Sequence, residues 1–154
     1  MDDPTRFPEL ALRDLTGRER PSPAVFDGTW NVVFVAFRRN QQVVIDEWVG
    51  RLDPLPEGVR VWEVPALSGM WSLARGMIDG GMAVGVGARE VQERTLTYYG
   101  DLGRVTRPLG IASRSVVTVL LLDANGAVAS RVEGRWDPAA QARLLAPIAG
   151  GGQP

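Results

Sequence analysis

Residues Trp30 to Phe37 read WNVVFVAF, a nearly continuous apolar run of β-branched and aromatic side chains. The run is too short for a helix core and lacks polar alternation, so it predicts a strand buried on both faces, as in a central parallel position. Such a strand demands a layer on each side and a partner beside it, and the next residues supply both. Asn40 offers a helix N-cap, and Val44, Ile45, Trp48, Val49 and Leu52 recur at helical spacing until Asp53-Pro54. This pattern predicts a helix with one apolar stripe turned to a sheet. Val59 to Val64 predicts a second strand, ended by Pro65. The crossover is long enough for parallel pairing, which makes a β-α-β unit.

The flanking segments fit an α/β domain around that unit. From Phe7 to Gly28, Leu10, Leu12 and Leu15 alternate with polar residues before Gly17, Pro21 and Pro23 interrupt them, predicting an irregular opening hairpin. Ser68 to Asp79 and Ala88 to Leu96 read as helices joined by the glycine-rich loop GGMAVGVG. Ser115 to Asp123, then Ala124-Asn125-Gly126, then AVASRVEG reads as a hairpin, with Asn-Gly predicting a type I′ turn. Asp137-Pro138 caps a last helix that carries Leu144 and Leu145 on its core side, with Pro147 ending or kinking it. Residues 7–149 form one expected domain, and 1–6 and 150–154 are expected to be flexible tails.

Three missing side chains restrict the chemistry. The 154 residues include no Cys and no His, and all 17 basic residues are Arg. These absences remove the usual thiol, imidazole and amine nucleophiles, soft-metal ligands and general bases near neutral pH. Thiol oxidoreductase, thiol peroxidase, Ser-His-Asp hydrolase, zinc enzyme and Schiff-base enzyme are excluded, and no catalytic residue, metal or cofactor is expected. A phosphate loop of the Walker type lacks its Lys, and Gly85-Val86-Gly87 lacks the spacing of a dinucleotide loop. The net charge of −1 provides no general attraction for nucleic acid or an anionic membrane. Asp2, Asp3, Arg6 and Glu9 interrupt the region where a signal peptide needs apolar residues, and no run approaches a membrane span of about 20 residues. A cytoplasmic location without a direct membrane span is therefore the expectation.

The order of elements, with FPELALRDLTG at the opening, GTWNVVFVAF before a helix and VVTVLLLDANGAV at the closing hairpin, resembles the thioredoxin-like redoxins. The segments MIDGGMAVGVG, RTLTYYGD, PLGI and VTVLLLD further resemble the cysteine-less branch that includes the mitochondrial ATP synthase assembly factor, a chaperone for membrane subunit a. The resemblance implies a thioredoxin-like fold with a central mixed sheet flanked by helices. It also implies a non-catalytic binding, assembly or chaperone-like role toward a protein partner, such as a subunit of the ATP synthase. By position, the family's thiols would lie among Arg38, Arg39, Asn40, Gln41 and Gln42, where no Cys occurs. The family's cis proline would lie near Val116 or Val117, where no Pro occurs.

Two surfaces are candidates for binding. Arg38, Arg39, Asn40 and Gln41 stand between a strand end and a helix N-terminus, where free N–H groups, the positive dipole end and guanidinium forks favour anions. The alternative is an ordinary solvated surface. Met70, Trp71, Met77 and Met82 offer an adaptable apolar surface for a partner, or core packing. Asp46 and Glu47 point apart on one helix, and Glu90 and Glu93 fit a solvated face. Tyr98, Tyr99 and Asp101 either serve a site or mark a strand packed on one side. The rival functions are a small-ligand binder for an anion or carboxylate, a cysteine-independent enzyme at the Arg edge, and a structural homodimer.

Overall fold

A computed structural model describes residues 5–52, 54–68 and 94–151. Its seven-stranded mixed sheet has the order β2-β1-β5-β4-β3-β6-β7. The strands are β1 (Leu10–Asp14), β2 (Glu19–Ser22), β3 (Trp30–Ala36), β4 (Val59–Leu67), β5 (Leu96–Tyr99), β6 (Thr118–Asp123) and β7 (Val128–Glu133). The helices among the described residues are α1 (Gln42–Leu52), α2 (Gly103–Leu109) and α3 (Pro138–Gly151). Every residue of β3 except half-buried Trp30 is buried, as its apolar run requires. β3 pairs parallel with β4 from Trp30↔Val59 to Ala36↔Pro65 and antiparallel with β6 from Trp30↔Asp123 to Val35↔Thr118.

Alternation along β3 sends its side chains into two cores. Val32, Phe34 and Ala36 pack with Ile45, Trp48 and Leu52 of α1 and with Ala140 and Leu144 of α3. Val33, Val35 and Phe37 pack on the other face with Phe7, Phe26, Trp62 and with Val105 and Leu109 of α2. Full burial of each such large apolar side chain contributes about 1.5–3 kcal/mol relative to exposure. The Trp48 indole N–H also donates to Gly134 O at 2.9 Å, which ties α1 to the residue that follows β7.

The structure revises several local expectations. The strand from Val59 continues past Pro65 to Leu67. Pro65 is the last partner of β3, beyond which β4 pairs with β5, so its missing N–H falls where one ladder ends. The closing turn is not type I′. Gly126 N–H donates to Asp123 O, Asp123 N–H to Ala127 O, and Gly126 has φ 86° with no positive φ at Asn125, a three-residue loop with a glycine bulge. The Asp123 carboxylate fixes this form by accepting from Asn125 N–H and Ala127 N–H. Asn40 lies inside a 3-10 turn, Arg39–Gln41, and extended Arg38 is the N-cap. Pro147 lies within α3 instead of ending it, while Asp137 accepts Ala140 N–H at 2.7 Å as the cap.

The opening hairpin forms as expected. The buried Asp14 carboxylate accepts from Thr16 N–H, the Thr16 hydroxyl and Arg18 N–H across the β1–β2 turn. Thr5 and Arg6, at the end of the expected tail, join the fold: Val128 N–H donates to Thr5 O, and Arg6 bridges Ala127. Leu96 opens β5 instead of closing a helix, and Ser68 directly follows β4. The rest of Ser68–Asp79, the glycine-rich loop and most of Ala88–Leu96 lie outside the described residues. α2 has no counterpart in the sequence reading, because Gly103, Pro108 and Gly110 read as breakers; Gly110 closes it at φ 63° in the left-handed region.

Candidate functional site

The parallel strands β3, β4 and β5 end on one side of the sheet, where open α/β sheets bind ligands. β3 runs into a turn that exposes Arg38, Arg39 and Asn40. Gln41 faces inward at 5% exposure. Its Oε1 accepts from Phe37 N–H at 2.8 Å and Arg38 N–H at 3.2 Å, while its Nε2 donates to Arg114 O at 3.0 Å. Gln41 therefore holds the turn from beneath and joins it to the loop before β6. Of the four residues expected to form one contact surface, three remain outward and the fourth is their support. Val43, on the first turn of α1, is 73% exposed beside them.

A polar network that runs from the surface to one buried carboxylate lies at the start of α1. The Gln42 amide donates to Asp46 Oδ1 at 2.9 Å and to Glu63 Oε1 at 3.0 Å, so one NH₂ group bridges two carboxylates. Glu63 is buried on β4, with Arg94 Nε 3.6 Å from its Oε2. Burial pushes the Glu63 carboxyl above its ordinary range and nearby Asp46 adds to the rise, against the Gln42 hydrogen bond and the Arg94 charge. Thr95, paired with Glu63 across the sheet, buries a hydroxyl that has no hydrogen-bond partner among the described residues. Glu47 points away from this network to Arg135, 3.6 Å distant, so Asp46 and Glu47 diverge as expected.

Beyond the ends of β4 and β5, a cleft of about 800 Å³ lies between Ser68, Gly100–Gly103, Thr106, Arg107, Ile111, Ala112 and Arg114. Ile111 is its buried apolar floor. The wall is pinned: Gly100 N–H donates to Leu67 O, and the buried Tyr98 hydroxyl donates to Asp101 O at 3.0 Å. The cleft is lined by Arg107 and Arg114, and neither Arg38 nor Arg39 lines it. Asp101 is on its rim, and Tyr98 and Tyr99 belong to β5. Met70, Trp71, Met77 and Met82, and likewise Glu90 and Glu93, lie outside the described residues.

Glu63, Arg107 and Arg114 are not singled out by any sequence motif, and Gln42 enters there only as a position matched to the family's thiols. The one available signal was Glu63 itself, a carboxylate inside the apolar strand segment VWEVPAL. The Arg residues carried no signal, since their convergence depends on α2 and its following loop.

No family model matches the chain, and no curated protein matches it. Solved structures do. The pneumococcal exposed lipoprotein thioredoxin Etrx1 from Streptococcus pneumoniae has a TM-score of 0.59 at 11% identity, covering 90% of this chain and 98% of its own. Yeast Sco1 with copper bound has a TM-score of 0.59 at 10% identity, covering 99% of this chain and 96% of its own. BsSco, a member of the Sco family of cytochrome c oxidase assembly proteins, has a TM-score of 0.58 at 8% identity, covering 100% of this chain and 99% of its own. At these identities the likeness establishes architecture. The mixed sheet, the parallel β3-α1-β4 unit and the closing β6-β7 hairpin with α3 make this an α/β protein of thioredoxin-like fold, built without a cysteine.

Proposed function

We propose that the chain is a thiol-independent binding protein, an assembly or chaperone-like factor that meets a protein partner at the C-terminal end of its central strands. The observation that carries this reading is the turn after β3, which exposes Arg38, Arg39 and Asn40 on backbone that Gln41 holds rigidly. A surface whose backbone is already ordered loses little conformational freedom on binding. Guanidinium forks on it, with exposed Val43 beside them, combine charge selectivity and apolar contact, and Arg is favoured in interfaces.

The Sco family provides a precedent for assembly factors on this fold. The copper of Sco1 does not transfer, because this sequence has neither the thiolate nor the imidazole that copper sites use. Among the described residues, no group of three His, Cys, Asp or Glu side chains could hold a metal. The resemblance to the cysteine-less assembly-factor branch favours a membrane-complex subunit, such as one of the ATP synthase, as client. No helix among the described residues is long and apolar enough to cross a membrane.

The test is affinity purification from membranes and cytosol with wild type and the Arg38→Ala, Arg39→Ala double variant. A specific protein captured by wild type and lost by the variant supports the reading. Equal capture by both removes the turn as the contact. A wild-type chain that captures only itself replaces the reading with a homodimer.

A further inference from the structure

The cleft beside α2 combines features that the proposed partner surface does not use. Arg107 and Arg114 line one concavity together with the apolar side chains of Ile111 and Leu102. Arg114 makes no side-chain ion pair among the described residues. Arg107 lies 3.6 Å from Asp101 Oδ2, an exposed pair that water screens and that leaves the rest of its fork available. Asp101 Oδ1 is engaged by Gly103 N–H at 2.9 Å, which keeps that carboxylate on the rim. Gly103 leaves the room that Arg107 occupies, since a Cβ there would overlap Arg107 Nη1 and displace the guanidinium.

We infer that this cleft is a binding site for a monocarboxylate with an apolar body, taken by Arg107 and Arg114 through the carboxylate and by Ile111 and Leu102 through the body. The two Arg and one Asp sum to a single positive charge, which matches a monoanion. Asp101 repels any anion at this rim, and it repels a phosphate dianion about twice as strongly as a carboxylate. Guanidinium forks match carboxylate geometry bidentately, and charge-assisted hydrogen bonds are the stronger kind. The carboxylate has two natural sources, a free organic acid or the C-terminus of a peptide ending in an apolar residue, and both offer the same chemistry. The inference is independent of the Arg38–Asn40 turn.

Isothermal titration of the full chain with hexanoate, acetyl-trileucine, acetyl-trileucine amide and inorganic phosphate tests it. The carboxylate peptide is expected to bind more tightly than its amide by about tenfold or more, the equivalent of losing one charge-assisted hydrogen bond. Arg107→Gln and Arg114→Gln are each expected to weaken carboxylate binding by about tenfold. Gly103→Ala should weaken it as well, by displacing the Arg107 guanidinium, whereas the Arg38→Ala, Arg39→Ala variant should leave it unchanged. Hexanoate binding as tightly as the peptide assigns the site to free acids, and peptide-only binding assigns it to C-termini; both support the inference. Equal affinity for peptide and amide, stronger binding of phosphate, no binding of any carboxylate at millimolar concentration, or no effect of either Arg variant would overturn it. Loss of the inferred site with partner capture intact would leave the proposed function standing.

Discussion

Replacing Gln41 with alanine removes three hydrogen bonds that connect the end of β3, the N-cap of the helical turn and the loop before β6. Phe37 is buried, so its N–H would lose its acceptor where water has little access. An unmade buried donor costs about 1–3 kcal/mol, and the bonds to Arg38 N–H and Arg114 O, both partly open to water, add about 0.5–1 kcal/mol each. The expected loss is about 2–5 kcal/mol, which for a domain of this size lowers Tm by roughly 4–20 °C. Urea unfolding followed by tryptophan fluorescence measures it. Gln41→Met separates the causes, because methionine fills the volume without restoring any of the bonds. Both variants should be destabilised to a similar degree, and hydrogen exchange should show the Phe37 amide losing protection. A loss below about 0.5 kcal/mol for Gln41→Ala, or near wild-type stability for Gln41→Met, would refute the assignment of Gln41 as the support of the turn.

Two further predictions concern buried carboxylates. Burial raises the folded-state pKa of Glu63, so folded protein holds this proton more tightly than unfolded protein; the associated stability is present at low pH and is lost as pH rises through the folded value. Glu63→Gln keeps an acceptor for the Gln42 amide, and it is expected to equal or exceed wild type in Tm near neutral pH and to flatten the decline in stability above the ordinary glutamate value of 4.5, as read by thermal melts across pH. Burial alone would raise Asp14, but the hydrogen bonds from Thr16 and Arg18 and the charge of Arg20 outweigh it and hold the carboxyl below its ordinary value of 3.8. This stability is present above the unfolded value and lost as pH falls through the folded one. Asp14→Ala should cost about 1–3 kcal/mol near neutral pH, since it leaves the turn donors unmet, and the gap to wild type should narrow in acid-unfolding curves.

The β-α-β unit was legible because its signals are local. An apolar run of β-branched residues at Trp30–Ala36 is buried in any compact arrangement, and Ile45, Trp48 and Leu52 recur at a period that only a helix can turn to one side. The opening hairpin and the cap at Asp137 were legible for the same reason. Boundaries were less so. Whether Pro65 ends a strand depends on where the neighbouring strand stops, and whether Asn125-Gly126 forms a two-residue turn depends on the bonds that Asp123 makes.

By itself, then, the sequence determined an α/β chain with a doubly buried central strand, and a composition that excludes thiol and imidazole chemistry. Tertiary structure alone decided which side chains face a ligand and which hold the fold. Gln41 turns inward because a carbonyl 73 positions away at Arg114 accepts its amide, and Gln42 bridges two acids because Glu63, 21 positions on, returns beside it on β4. The cleft exists because α2 and its following loop set Arg107 and Arg114 about one floor. Burial and periodicity act between neighbours along the chain, whereas a site is made by groups that the fold brings together from distant positions, each taking the partner that the crossing of strands leaves within reach.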